Sequence, residues 1–203
     1  MPDYSYEKAA ATSGFKLICG VDEAGRGPLA GPVCAAAVIL PEDLEIPGLN
    51  DSKKISEKKR EQLYDVITEK ALAYCVAYGT LEEIEEKNIL KATFLAMNRA
   101  IEGLKIKADF ALIDGNKIPD GIKVPAAAIV KGDAKSMSIA AASILAKVSR
   151  DRVCMELDRE YPQYMLSKHK GYSTKEHMDL VRKHGPSPIH RRTFLKFLDK
   201  TDD

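Results

Sequence analysis

Four acidic residues follow short apolar runs of this sequence, each close to a glycine. Asp22 and Glu23 end the first such run, Asp114 ends "DFALID", and Asp133 lies in "VKGDAKS". Adjacent residues of a strand point to opposite faces. Asp22 and Glu23 can therefore share a site only if their strand ends at about that point, and Gly25 is well placed to end it. If the three runs are neighbouring strands of one sheet, the four carboxylates converge.

Each of these acids also has an ordinary structural explanation. An Asp before Gly is most often part of a turn, and Asp133 could cap the helix that follows it. For any one acid alone this explanation is favoured, but three such places in one small chain favour a shared site. Converging carboxylates repel one another unless a cation holds them. Oxygen ligands without Cys or paired His select Mg²⁺ or Mn²⁺, and such sites typically hold two ions about 4 Å apart that activate water against a phosphodiester.

The histidines and cysteines do not indicate a second metal site. The histidines lack zinc-site spacing, and a surface position or a phosphate contact is predicted for His169, His177, His184 and His190. The four cysteines stand singly, without a CxxC pair, and predict free buried thiols in a reducing cytoplasm. No apolar run resembles a signal peptide or approaches the roughly 20 residues that cross a bilayer. We therefore expect a cytoplasmic protein without a membrane partner.

Positive charge is concentrated near the C-terminus of the 203-residue chain. The segment 164–200 has nine basic and three acidic residues, a net charge of +6, whereas the whole chain carries +1. A second basic cluster lies between Lys53 and Arg60. Solvated helix faces are the ordinary explanation of such runs and are favoured on charge alone. The alternative is a surface that follows a phosphate backbone.

The apolar pattern predicts the elements that position the acids. Residues 1–14 are predicted to be a flexible arm, and two β-like runs at 15–21 and 32–40 predict an antiparallel hairpin around the glycine-rich turn. The elements predicted next are a helix at 56–70, a strand at 71–79, a helix from the capping box Thr80–Glu83 to about 103 with a break near Lys87 and Asn88, and strands at 109–114 and 124–130.

A long helix is predicted at 136–161, and its start, "SIAAASILA", is dense in small residues that can pack very close to a sheet. Further on, "STKE" at 173–176 predicts a second capping box, and Ser187 with Pro188 predicts the start of a last helix. The order of elements predicts one α/β domain over 15–160. A basic helical segment at 161–203 is expected to pack on it.

Several sequence blocks occur in the order found in bacterial ribonuclease HII, a type 2 ribonuclease H, and the chain resembles that family from about Leu17 to Leu198. The most specific blocks are "DEAGRGPLAGPV", "IDGN" and "KGD", followed by "HKGYSTKEH" and "HRRTF". The resemblance implies a ribonuclease H-like mixed sheet flanked by helices, with a C-terminal helical segment. It also implies cleavage of the RNA strand in RNA/DNA hybrids and incision at ribonucleotides embedded in duplex DNA.

The resemblance also implies a role for individual residues. Two Mn²⁺ or Mg²⁺ ions would be held by four acids, with Asp22 bridging both and the products ending in 5′-phosphate and 3′-hydroxyl; the acids are Asp22, Glu23, Asp114 and Asp133. Gly25, Arg26 and Gly27 would read the ribose 2′-hydroxyl, and Tyr172 would pack on the sugar of the following deoxynucleotide. The implied phosphate contacts are Lys53, Lys168, Arg191 and Arg192. We expect the enzyme to act as a monomer.

Two other functions are compatible with parts of this pattern. A different metal-dependent nuclease or transposase-like enzyme of the same fold would share the acids but lack the ribose-reading loop, and Gly25–Gly27 with Tyr172 argue against it. A non-catalytic module that binds hybrids would tolerate the loss of an acid, and the presence of all four argues against that. Departures from the family pattern are confined to Ser173 and Thr193, which replace a common glycine or proline and a common serine.

Overall fold

The computed structural model describes residues 1–50, 52 and 55–199, which form a five-stranded mixed sheet with helices on both faces. The strand order is β3-β2-β1-β4-β5. The strands are β1 (Ile18–Ala24), β2 (Val33–Ile39), β3 (Ala73–Gly79), β4 (Phe110–Asp114) and β5 (Ala126–Ile129). The first three pair antiparallel, whereas β4 and β5 run parallel to β1. The predicted hairpin of β1 and β2 is confirmed.

Alternating side chains of the central strands separate two layers of helices. The helices are α1 (Ser5–Thr12), α2 (Glu57–Lys70), α3 (Leu81–Glu102), α4 (Met137–Glu160), α5 (Leu166–His169) and α6 (Lys175–His184). Ala36 and Val38 of β2 belong to the buried cluster with α2 and α4, whereas Ala35 and Ala37 belong to the cluster with α3. This period-two burial on both faces is that of a central strand covered on each side.

The first turn of α4 lies directly on β1, as its small residues predict. A Cβ on Gly20 would come within 2.1 Å of the Ser138 carbonyl carbon, so only glycine fits here. Ser136 caps the helix by accepting a hydrogen bond from the Ile139 amide at 3.2 Å. The segment just before the cap contains Asp133 and is thereby held near the end of β1.

Helix α3 has both features that the sequence predicts. Thr80 and Glu83 form the capping box through two reciprocal hydrogen bonds, Glu83 N to Thr80 Oγ1 at 3.2 Å and Thr80 N to Glu83 Oε2 at 2.9 Å. The helix is broken at Asn88, whose φ of 71° lies in the left-handed region. Asn88 Oδ1 accepts from the amides of Leu90 and Lys91 and restarts the helix after the break.

The prediction of a flexible arm at residues 1–14 was wrong, because Ser5–Thr12 is the helix α1. Asp3 exchanges two backbone hydrogen bonds with Lys135 and Met137, at 2.9 and 3.1 Å. Glu7 is buried and accepts from the hydroxyls of Ser136 and Ser138, both at 2.6 Å. These partners lie more than 125 positions away in sequence, and no local pattern could have indicated them.

Two predictions about the C-terminal segment were also wrong. Helix α6 is capped by Thr174, one residue later than predicted, through the His177 amide at 3.2 Å. The predicted last helix is replaced by two 3₁₀ turns, Arg192–Phe194 and Lys196–Leu198. Before them, Pro188 and Ile189 form a turn, and His190 bridges antiparallel to Ala30. Backbone pairing with a distant loop thus replaces the local helical bonds.

In the described part of the chain, no helix is long and apolar enough to span a membrane.

Candidate active site

The register of the sheet places Asp22 and Asp114 on adjacent strands. Val21 of β1 is paired in parallel with Ile113 of β4, and each acid is the next residue along its strand. The Asp22 side chain is buried and accepts a hydrogen bond from Ser143 of α4. Burial raises the pKa of Asp22 well above its ordinary value of 3.8, and the negative charges of Glu23 and Asp114 raise it further. The charges of Glu23 and Asp114 therefore act on Asp22 at this end of the sheet.

Asp133 reaches the same end of the sheet through a tight turn. Lys131 adopts the left-handed conformation, with φ 58°, and a 3₁₀ turn at Gly132–Ala134 follows it. Asp114 Oδ1 accepts from the Gly132 amide at 2.6 Å and from the Asp133 amide at 3.4 Å. Because Ser136 caps α4, the alternative that Asp133 is a helix cap does not hold.

Asp22 and Glu23 do not face the same side, because β1 continues to Ala24 and does not end at the acids as predicted. Asp22 is turned toward Ser143 of α4. Glu23 lines a cleft of about 150 Å³ next to α3, together with Asp114, Arg26 and Asn116. Glu23 Oε1 also lies 3.3 Å from Arg26 Nη1. Asp114 lines the same cleft as Glu23, and its charge also acts on Asp22.

The four acids offer only carboxylate oxygens, which are the ligands that a hard divalent cation prefers. Among the described residues, however, no three Asp, Glu, His or Cys side chains lie close enough together to hold one metal ion. Two of these acids have protein partners: Glu23 pairs with Arg26, and Asp114 accepts from the Gly132 amide. A divalent ion would have to draw these side chains together.

The loop after β1 contains two glycines, Gly25 and Gly27, whose surroundings restrict a side chain to different degrees. Gly25 has φ +95°, and a Cβ there would lie 2.1 Å from Nε of the buried Arg150. Gly27 is exposed and its φ is not in the left-handed region. The nearest atom to a Cβ on Gly27 would be Tyr172 Cε1, at an ordinary 3.9 Å. The fold therefore requires glycine at position 25 but not at position 27.

Tyr172 offers an exposed aromatic face beside this loop. The residue is 41% exposed, and its ring is the neighbour of Gly27. The Lys147 ammonium and the Arg150 guanidinium lie 5.9 and 5.8 Å from the ring centre. Cations at this distance favour the ring position through cation–π attraction. An exposed aromatic ring thus lies beside the exposed backbone loop that follows Asp22 and Glu23 in the chain.

Arg191 is not the surface phosphate contact that the sequence predicts. Its side chain is fully buried and donates to the carbonyls of Gly25 at 2.7 Å, Pro28 at 2.8 Å, Gly31 at 2.9 Å and Arg26 at 3.0 Å. Burial and the nearby Arg150 charge lower the pKa of Arg191 to about 9, so the guanidinium stays charged at neutral pH. Its role is to hold the loop from inside.

The other predicted phosphate contacts differ in how the structure places them. Lys168 is exposed and forms an ion pair with Glu176 at 2.6 Å. Arg192 is exposed next to the buried Arg191. Lys53 lies outside the described residues. The prediction of a surface position or phosphate contact for the histidines was wrong for His169, His177 and His190, which are buried.

Several polar residues of α4 belong to this site and were missed by the sequence analysis. Ser143, Lys147 and Asp151 recur every fourth position and Arg150 lies beside them, in a helix whose first half is otherwise small and apolar. Ser143 Oγ contacts Ser52 Oγ at 2.9 Å, and Lys147 pairs with Asp151 at 2.7 Å. This spacing of polar residues at i and i+4 was the available signal that one side of the helix faces a site.

Arg150 repeats the arrangement seen at Arg191. It is buried and donates to the carbonyls of Lys170 at 2.7 Å and Ala30 at 3.1 Å. The Lys170 carbonyl lies just before Tyr172 in sequence, and that of Ala30 just after the glycine-rich loop. Two buried cations therefore hold the loop and the aromatic residue in fixed relation.

Comparisons with known proteins identify a family for this chain. Residues 19–197 match the family described as Ribonuclease HII. Ribonuclease HII of Endomicrobium trichonymphae is 56% identical over 191 residues, covering 94% of this chain and 91% of that protein. The one from Idiomarina loihiensis is 59% identical over 178 residues, covering 88% and 95%. The crystal structure of ribonuclease H2 from Pyrococcus horikoshii OT3 has a TM-score of 0.75 and 28% identity, covering 92% of this chain and all of that one.

Proposed function

The chain belongs to the ribonuclease HII family of hydrolytic nucleases, and from its site we propose that it cuts the RNA strand of RNA/DNA hybrids and incises duplex DNA on the 5′ side of embedded ribonucleotides. The observation that carries this proposal is the position of Gly27. It lies four residues after Glu23 and beside the exposed ring of Tyr172. Neither packing nor backbone conformation requires glycine at this position. We infer that position 27 lacks a side chain because a substrate comes close to the backbone there.

The loop from Gly25 to Gly27 is built to present backbone to a ligand. Arg191 occupies the carbonyls of Gly25 and Arg26 from inside the protein, and Arg26 and Gly27 are exposed on the other side. Backbone groups held in this way can bond to a ribose 2′-hydroxyl, the group that distinguishes RNA from DNA. We assign the reading of the ribose to Gly25, Arg26 and Gly27, with Arg26 orienting the loop or meeting phosphate.

We assign metal binding and catalysis to Asp22, Glu23, Asp114 and Asp133. When bound, two Mn²⁺ or Mg²⁺ ions would supply acidity toward water and charge neutralisation at the phosphodiester. The protein residues prepare this set: Ser143 donates to Asp22, and the Gly132 amide holds Asp114. The excess negative charge that raises the pKa of Asp22 is what a divalent cation would neutralise. The proposed products carry 5′-phosphate and 3′-hydroxyl ends.

Tyr172 and the exposed cations are assigned to the rest of the duplex. The open ring would pack on the sugar of the deoxynucleotide that follows the ribonucleotide, which gives a preference for junctions of RNA to DNA. Lys168 and Arg192 are exposed and would contact phosphates, and Lys53 is proposed to do the same. We propose that the enzyme acts as a monomer in the cytoplasm.

The proposal is tested with four duplexes of one sequence, each incubated with Mn²⁺ or with Mg²⁺. They contain a single ribonucleotide, a full RNA strand, a single 2′-O-methyl ribonucleotide, or DNA only. We expect cutting of the first two and none of the last two, since the methyl group removes the donor and adds bulk. Cutting of plain DNA would identify a nuclease without a ribose reader. Binding without cutting would identify a hybrid-binding module.

Tyr172→Ala separates the ring from the acids in the same assay. Stacking on a ring contributes about 1–3 kcal/mol, so junction cutting should fall roughly 10- to 100-fold while cutting of long hybrids falls less. Equal losses on both substrates would assign Tyr172 a purely structural role.

A further inference from the structure

Three buried histidines form a layer next to the backbone of Gly171 and Tyr172, and the proposed reaction does not use them. His169, His177 and His190 are 8%, 0% and 4% exposed. The rings of His169 and His177 stack at 4.3 Å between centroids, and His190 lies 3.2 Å from His177 through their Nε2 atoms. Each ring is also bonded to backbone, and two of the backbone groups belong to Gly171 and Tyr172.

The backbone partners fix the proton on His177 and His190. A carbonyl can only accept, so His177 Nδ1, 3.0 Å from the Tyr172 carbonyl, carries a hydrogen. An amide can only donate, so His190 Nδ1, 3.2 Å from the Ser187 amide, carries none, and the Ser187 hydroxyl 3.0 Å away then donates to it as well. The neutral His190 then has its hydrogen on Nε2 and donates to the bare Nε2 of His177. One hydrogen-bond chain therefore runs from Ser187 through both rings to Tyr172.

His169 is fixed by the same reasoning. Its Nε2 lies 2.9 Å from the Tyr164 carbonyl and must donate, while its Nδ1 accepts from the Gly171 amide at 3.3 Å. All three rings are thus neutral, with the hydrogen on Nε2 in His169 and His190 and on Nδ1 in His177. A second proton on any ring would set two donors against each other.

We propose that His169, His177 and His190 are positioning residues that, as neutral imidazoles in these fixed tautomers, hold the backbone of Gly171 and Tyr172 where the tyrosine ring meets substrate. The inference rests on the proposed role of Tyr172 and adds a cause for its position. The same layer reaches the glycine-rich loop, because His190 bridges to Ala30 and the Gly171 carbonyl accepts from the Leu29 amide at 2.8 Å.

The electrostatic surroundings favour neutral rings. Burial lowers the pKa of all three histidines, and that of His190 falls to about 4. The negative charges of Glu176 and Asp158 raise the pKa of His169, whereas the positive charge of Lys168 lowers it further. The other ring of the cluster, Tyr164, packs edge-on against His190 at 4.6 Å and donates to the Gly185 carbonyl. It brings no charge to the layer.

The first test reads the tautomers directly in the protein without substrate. Long-range ¹⁵N–¹H correlation spectra at pH 7 should show Nε2–H for His169 and His190 and Nδ1–H for His177. An Nε2–H tautomer or a charged ring at His177 would overturn the proposed chain. This result does not depend on cutting, so an enzyme that fails on junction substrates would overturn the proposed function and leave the tautomers standing.

The second test uses two replacements of one ring. His177→Asn keeps an N–H donor near the position of Nδ1, whereas His177→Phe keeps the stacked ring and removes the donor to Tyr172. We expect His177→Phe to lower the ratio of junction to long-hybrid kcat/KM roughly 10-fold, as a displaced Tyr172 would. His177→Asn should keep that ratio within about 3-fold, whatever its effect on Tm.

The exposed His184 supplies the control, and His184→Phe should change neither the ratio nor Tm. Equal ratios for His177→Phe and wild type would overturn the positioning role, and so would equal losses in the Phe and Asn variants. If His177→Phe does not fold, the tautomers and the ratio measured for His177→Asn still decide the matter.

Discussion

The guanidinium of Arg191 donates a 2.7 Å hydrogen bond to the carbonyl of Gly25, 166 positions earlier in the chain. Arg191 follows His190, which bridges to Ala30, so the end of the chain is held to the glycine-rich loop by both backbone and side chain. The loop follows directly on Asp22 and Glu23. The C-terminal segment therefore fixes the surface next to the acids from inside the protein.

Arg191→Lys should destabilise the protein and impair ribonucleotide-dependent cutting. A single ammonium cannot reach four carbonyls, and each bond to a charged donor contributes about 1.5–3 kcal/mol. We expect a loss of about 3–5 kcal/mol in the free energy of unfolding, measured in urea. The exposed neighbour provides the control, since Arg192→Lys should leave stability unchanged. Unaltered stability of Arg191→Lys would contradict the loop-holding role.

Asp22→Asn and Asp114→Asn should each lower cleavage by about 100-fold or more, because they remove a charge from the proposed metal site. Folding should survive, since loss of one repelling carboxylate relieves the strain that raises the pKa of Asp22. Added Mn²⁺ should raise Tm in the wild type and less in either variant. Asp65→Asn, at an exposed acid of α2, is the control for both measurements. Wild-type cleavage rates in the site variants would refute the assignment.

Gly25→Ala and Gly27→Ala should have different consequences. Alanine at position 25 must adopt φ +95° and meet Arg150, so we expect a loss of about 2–4 kcal/mol in stability. Alanine at position 27 meets nothing closer than 3.9 Å and should fold within about 0.5 kcal/mol of wild type. Its cutting at ribonucleotides should nevertheless fall about 10- to 100-fold through misplaced substrate. Unchanged cutting by Gly27→Ala would show that the loop is only a turn.

The affinity for hybrids should fall steeply with salt, with a log–log slope of nearly one per contacted phosphate. Lys168→Ala combined with Arg192→Ala should reduce that slope by about two and leave the cut position unchanged. Lys105→Ala with Lys107→Ala removes the same charge before the start of β4, at the end of the strand opposite Asp114. This control should keep the slope. Salt-independent binding would show that these basic residues lie on solvated helix faces and do not contact phosphates.

Stability should fall as the pH drops from about 6.5 to about 4. Burial lowers the pKa of His190 from 6.5 to about 4, so its contribution is complete above pH 6.5 and is lost as the pH falls through that window. His190→Asn, which can still accept from the Ser187 amide, should flatten the profile of unfolding free energy in urea. His184→Asn should not, and equal profiles for wild type and His190→Asn would disprove the prediction.

Much of the fold was predictable because its signals are local. The hairpin of β1 and β2, the capping box of α3, its break at Asn88 and the long helix α4 all follow from residues within a few positions of one another. The ribonuclease H-like mixed sheet is confirmed as well. Helix α1 and the antiparallel bridge at His190 were missed because each depends on partners more than 100 positions away.

The sequence alone determined the chemistry available to this protein. The residue types, their order and the glycine-rich loop identified the family and pointed to Asp22, Glu23, Asp114 and Asp133. The tertiary structure decided which cations face solvent and which face the interior. Arg191 and Arg192 are adjacent and alike in charge, yet one is buried against four carbonyls and the other is exposed. The reason is that burial depends on what the rest of the chain brings against a side chain, and local sequence carries no record of that.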